Sequence, residues 1–152
     1  MKIEDEIKGR FRNEYHKGLI NLIFTTKHIS YDFHQSLKKH GLAEQQYNVL
    51  RILRGFRSAA PLCIGFIKER MLDKDSDVSR IVDRLFEKGL VSRMENKNDR
   101  RQKSVEITEN GLQLLDKMSN CQQKEDTLLT NLTIDEVIEL SYLLDKIRER
   151  GA

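Results

Sequence analysis

The chain has 152 residues, with 34% charged residues, one proline, two cysteines and a formal net charge of +3. That length is most simply one domain with a sizeable core, and the mildly basic balance permits a nucleic-acid partner without requiring one. The apolar stretches are too short for a bilayer span, MKIEDEIKGRF lacks the apolar run of a signal peptide, and cysteines 58 positions apart make no disulfide framework, so a soluble cytoplasmic protein without membrane association is expected.

In chain order, Ile7, Phe11 and Tyr15 recur at helical spacing within a polar stretch, 5–17. A denser apolar block follows at Leu19, Ile20, Leu22, Ile23 and Phe24, then Ile29, Phe33 and Leu37 at four-residue steps up to Gly41. This is one long helix or two joined near Gly18. AEQQYNVLRILRGF (43–56) repeats the pattern through Tyr47, Leu50, Leu53 and Phe56. RSAAP (57–61) breaks it, and LCIGFIKERML (62–72) reads as a short third helix.

KDSDVSRIVDRLFEKGLV (74–91) is the most regular segment. Asp75 or Ser76 is placed to cap a helix, Val78, Ile81, Val82 and Leu85 define one buried face, and Gly89 supplies the left-handed stop. Two strand-like pieces, LVSRM (90–94) and SVEIT (104–108), then flank NKNDRRQK (96–103), in which four of eight residues are Lys or Arg. Val105 and Ile107 alternate on one strand face. A helical pattern resumes at Leu112, Leu115 and Met118. A last helix restarts at NLTIDEVIEL, where Thr133 and Glu136 form a capping box and Leu132 and Val137 a hydrophobic staple.

Short helices followed closely by a two-strand hairpin describe a mainly α fold with a small β-hairpin wing, a winged helix-turn-helix. The long helices at both ends carry apolar stripes that need a partner, and a second copy of the chain is the simplest one.

Away from its buried face, the helix at 76–88 presents Ser76, Asp77, Ser79, Arg80, Asp83 and Arg84. Hydroxyls near a helix N-terminus followed by an arginine suit a helix whose first turns enter a major groove. Hydroxyls and amides hold phosphates there, and a guanidinium forks onto guanine O6 and N7. An ordinary charged surface helix accounts for the same residues. Asp77 even opposes DNA, unless it accepts from a cytosine amine or pairs with Arg80. The hairpin shifts the balance: Arg100 and Arg101 suit a narrow minor groove, and Asp99 would brace the turn and one arginine.

From Leu42 onward the order of residues resembles the multiple-antibiotic-resistance-regulator (MarR) family of bacterial transcription factors. The resemblance is strongest in IKERMLDKDSDVSRIVDRLFEKGLVSRMENKNDRRQKSVEITENG (67–111) and covers nearly the whole chain in layout. It implies a homodimer with N- and C-terminal dimerisation helices (1–41 and 109–152) around a DNA-binding lobe (42–108). It implies a repressor of a pseudo-palindromic double-stranded DNA operator, released by a small ligand. Carried over by position, Ser76, Asp77, Ser79 and Arg80 face the major groove, and Arg84 is a further DNA-binding candidate. Arg101 enters the minor groove, supported by Asp99 and Arg100, and Lys103 is a further DNA-binding candidate. Two departures stand out. Asp77 sits where small or hydroxylated residues are frequent, and Ala43 replaces the usual polar cap. Residues 61–111 hold eleven Lys/Arg against ten Asp/Glu, so affinity rests on placement rather than bulk charge.

Ligand-responsive members of this family bind aromatic acids in a cleft between the dimer helices and the DNA-binding lobe. Phe24, His28, Tyr31 and Tyr47 are candidate lining groups here, and core packing explains them too. No cysteine precedes Cys63, which reads as a small core residue, and Cys121 lies in a polar helical segment. His16, His28, His34 and His40 complete no tetrahedral site, so no metal or other cofactor is expected. Without a phosphate loop, nucleophile elbow or paired metal motif, an enzyme is disfavoured. The remaining rival is a winged-helix module that binds protein rather than DNA.

Overall fold

A computed structural model describes residues 1–95, 103–120, 123 and 127–149. The short helix α1 (Ile3–Ile7) leads into α2 (Glu14–Lys38), α3 (Glu44–Gly55), strand β1 (Leu62–Cys63), α4 (Ile64–Arg70) and α5 (Val78–Glu87). Strands β2 (Val91–Glu95) and β3 (Lys103–Ile107) follow, then α6 (Glu109–Lys117) and α7 (Ile134–Arg148). The three strands form one antiparallel sheet in the order β1-β3-β2. The wing hairpin is thus extended by a third strand, and the fold is the expected winged helix-turn-helix.

The helical spacing at Ile7, Phe11 and Tyr15 does not make one helix. Lys8 takes a left-handed φ of 52°, which ends α1, and the Asn13 side chain accepts from the His16 N–H to start α2. Gly18 is no joint, because α2 runs through it unbroken. The segment 62–72 is shorter as a helix than its pattern suggests. Leu62 and Cys63 pair with Val105 and Ser104 before α4 begins. Cys63 is exposed instead of buried, and its Sγ accepts from the Phe66 N–H at 3.4 Å at the start of α4.

The core gathers beneath α3, α5 and the sheet. Tyr47, Leu50, Leu53, Ile67, Val78, Val82, Leu85, Val105 and Leu115 are all buried in it. The Phe33 ring of α2 meets Tyr47 edge-on at 5.4 Å, which holds the long helix against the lobe. Gly89, at φ +72°, turns the chain from α5 into β2. Thr108 secures the return from the sheet: its hydroxyl donates to the Gly89 carbonyl at 2.7 Å and accepts from the Gly111 N–H at 3.2 Å. The capping box at Thr133 and Glu136 forms as expected. No helix of the described residues is long and apolar enough to cross a membrane.

Candidate nucleic-acid interface

Helix α5 owes its orientation to Val78, Ile81, Val82 and Leu85, all buried. These four positions lie along one side of a 3.6-residue period, so Ser79, Arg80 and Arg84 are turned outward, and all three are exposed. Arg80 and Arg84 border a shallow depression of about 250 Å³ with Ala43, Gln45, Gln46, Asp77 and Ile81. The start of α3 therefore stands beside the outer face of α5. Ala43 offers no side-chain cap to α3, but the Gln46 carboxamide oxygen accepts from the Ala43 N–H at 3.1 Å. Lys88 reaches the Gly41 carbonyl oxygen and the same Gln46 oxygen, tying the end of α5 to the α2–α3 turn.

Two residues at the N-terminus of α5 differ from expectation. Ser76 does not face outward. It is 2% exposed, and its hydroxyl has no hydrogen-bond partner among the described residues. Its place in the turn before the helix, one residue earlier than the cap, buries it. The cap is neither Asp75 nor Ser76 but Asp77, whose Oδ1 accepts from the Arg80 N–H. A carboxylate at this position thus has a local reason, satisfaction of a free helix-start amide.

Asp83 is half-buried instead of freely exposed, and it pairs with Arg93 of β2. Periodicity alone does not single out Arg93, although the strand pattern carries a signal. Val91 and Arg93 share one strand face, and Arg93 lies opposite Val105, which is fully buried. An arginine on the inward face of a strand implies a carboxylate or aromatic partner. Here it has both, because its guanidinium also lies 4.0 Å from the Phe86 ring centroid.

Lys103 opens β3 opposite Glu95 and is half-buried. Asp99, Arg100 and Arg101, and likewise Cys121, lie outside the described residues. β2 and β3 pair as far as Glu95 and Lys103, which flank the 96–102 segment.

The four candidate ligand-lining residues do not converge. Tyr47 is fully buried under Phe33, Phe24 is half-buried on α2, and His28 and Tyr31 are exposed along the same helix. Tyr47 points into the core because it belongs to the buried stripe of α3. The groove between α2 and α3 is lined instead by Ile29, Phe33, Asn48, Arg51, Leu72 and Leu128, with a volume of about 270 Å³. At its rim His34 Nε2 lies 2.8 Å from Glu44 Oε2, bridging α2 to the first turn of α3.

Comparison with known proteins adds a sequence signal independent of this geometry. The MarR family model matches residues 42–103. The Multiple antibiotic resistance protein MarR of Escherichia coli (strain K12) is 36% identical over 101 residues, spanning 64% of this chain and 69% of that protein. Among solved structures, a MarR transcription factor from Planctomyces limnophilus is 30% identical with a TM-score of 0.66, covering 90% of this chain and 98% of that one. The S. aureus MepR–DNA complex shares the fold at 21% identity, with a TM-score of 0.71 over 84% of this chain and 96% of that one. The region matched by the family model carries α5 and β2, and the chain belongs to the MarR family of transcriptional regulators.

Proposed function

We propose that the protein is a homodimeric repressor that reads a pseudo-palindromic duplex operator. The carrying observation is the outer face of α5, where Ser79, Arg80 and Arg84 are exposed beside a hairpin leading into the cationic segment 96–103. Helix α5 enters the major groove, and Arg80 forks onto a guanine edge. The hairpin tip, with Arg100 and Arg101 braced by Asp99, follows the adjacent minor groove. Lys103 sits at the base of that tip. Asp77 holds the start of α5 by accepting from the Arg80 backbone N–H. A DNA complex of a protein with this fold, MepR, supports the reading.

Two copies are needed for two half-sites. Support for self-association comes from apolar residues that the single chain leaves uncovered. Ile134, Ile138 and Tyr142, at four-residue steps on α7, are 80%, 62% and 60% exposed. Tyr15, Leu19 and Ile23 repeat the pattern along α2. Stripes of this length on helices of 15 and 25 residues are costly in water and suit burial against a second copy.

Release by a small aromatic acid fits the groove between α2 and α3. Phe33, Ile29 and Leu72 give it apolar walls, and Arg51 and Glu44 are the charged groups that line it. An occupant there would touch both the long helix and the lobe, and so bias the distance between the two recognition helices.

The direct test is anisotropy of a labelled mixed-sequence duplex, titrated with the purified protein at rising salt. Binding that weakens linearly on a log–log salt plot is expected. Absence of binding at low salt would reject the DNA reading and leave the protein-binding winged helix.

A further inference from the structure

The Asp83–Arg93–Phe86 cluster sits between the two parts of the interface and belongs to neither. Asp83 lies on α5 three residues after Arg80 and one before Arg84. Arg93 lies at the centre of β2, on the strand face that looks toward the helices. Its guanidinium pairs with the Asp83 carboxylate and lies over the Phe86 ring, so two different chemistries fix one side chain. Beyond Arg93, β2 runs only two more residues, to Glu95, before the segment 96–102.

We propose that Arg93 is a positioning residue for DNA reading, clamping the wing to the recognition helix so that wing tip and helix reach adjacent grooves together. The proposal rests on the DNA-binding reading above. Magnitudes separate this role from plain stabilisation. The Arg93 and Asp83 side chains are 29% and 47% exposed. A partly exposed pair of this kind contributes only modestly to folding. A clamp between two DNA-contacting elements acts elsewhere: it removes the entropy of a loosely hinged wing before binding. It also cancels a carboxylate lying among the DNA-facing cations. A lone Asp83 would oppose the phosphates, whereas the paired one presents a neutral edge.

The clamp predicts energetic coupling between Arg93 and the wing tip, which it does not itself contain. In the intact full-length protein, the Arg101→Ala change is made with Arg93 and again with Arg93→Gln. The probe is the duplex that the parent protein enriches from a random pool. With Arg93 in place, Arg101→Ala should weaken binding about tenfold and flatten the salt dependence. With Arg93→Gln, the same change should cost about threefold less, because the unclamped tip already contributes less. Arg93→Lys, which keeps the ion pair but loses the flat contact with Phe86, should recover part of the coupling. Thermal unfolding should shift little in any of these variants. If Arg93→Gln does not fold, Asp83→Asn removes the other half of the pair and repeats the cycle. Equal costs of Arg101→Ala in both backgrounds would overturn the clamp while leaving DNA binding intact. A parent protein that retains no duplex would overturn both.

Discussion

The Asp77 carboxylate caps the helix that carries Arg80: Asp77 Oδ1 accepts from the Arg80 backbone N–H at 3.2 Å. One residue therefore serves the fold through its oxygen and opposes DNA through its charge. Substitutions separate the two. Asp77→Ser keeps a capping oxygen and removes the charge, so it should tighten binding to every duplex while stability changes by a few tenths of a kcal/mol. Asp77→Ala removes both and should lower stability by about 1 kcal/mol. Denaturant unfolding together with duplex titration measures each. Weaker binding by Asp77→Ser would mean that the carboxylate itself reads a base.

Arg80 is exposed on the outer face of α5 and has no role in the core. Arg80→Ala should cost about 1–3 kcal/mol on the preferred duplex and distinctly less on mixed sequence. Equal losses on both would reduce Arg80 to a phosphate contact.

Gly111 lies where α6 starts against the sheet. A Cβ added there would stand 2.4 Å from the Leu90 carbonyl oxygen and 2.7 Å from Ile107 Cγ1. In an open helix, Gly→Ala gains about 1 kcal/mol, but backbone does not yield to a methyl group at that distance. Gly111→Ala should destabilise by about 2 kcal/mol or more. A melting temperature equal to or above the parent's would contradict the close approach.

The exposed stripe on α7 should disappear on self-association. Ile138→Lys with Tyr142→Lys should shift sedimentation toward the monomer and weaken binding to a two-half-site duplex far more than to a single half-site. An unchanged sedimentation coefficient would place the dimer contact elsewhere.

The N-terminal helix has its own acid sensitivity. Lys17 pairs with Glu4, and this hydrogen bond holds the Glu4 carboxyl below its ordinary 4.5 and lifts the Lys17 ammonium above its ordinary 10.5. A lowered carboxylate contributes above its unfolded value and loses that contribution as pH falls through the folded one. Docking of α1 should therefore loosen below pH 4.5, and the Lys17 side of the pair should be lost only in strong alkali. Amide exchange over residues 3–7, compared with Glu4→Gln at each pH, reads this. A parent and variant that respond alike to acid would remove the pair from the account.

Much of the lobe was legible because its signals are local. The stripe Val78, Ile81, Val82, Leu85 and the glycine at 89 specify α5 and its end within a dozen residues, and all four apolar groups are buried. The box at Thr133 and Glu136 is equally self-contained. What depends on distant partners was not legible. The strand Leu62–Cys63 is too short to show a period and exists because β3 offers it an edge. Ser76 is buried by one step of position before the cap, which no composition rule resolves. Tyr47 and Tyr31 have similar helical contexts, yet one faces Phe33 in the core and the other faces out. Asp83 looked like a free surface acid because its partner, Arg93, lies across a turn on another element.

Operator reading by a dimer is tested by mixing the purified protein with a random pool of duplex DNA and sequencing what it retains. An inverted repeat whose half-sites lie about one helical turn apart should be enriched. A retained pool without an inverted repeat, or no retention at low salt, would contradict that reading.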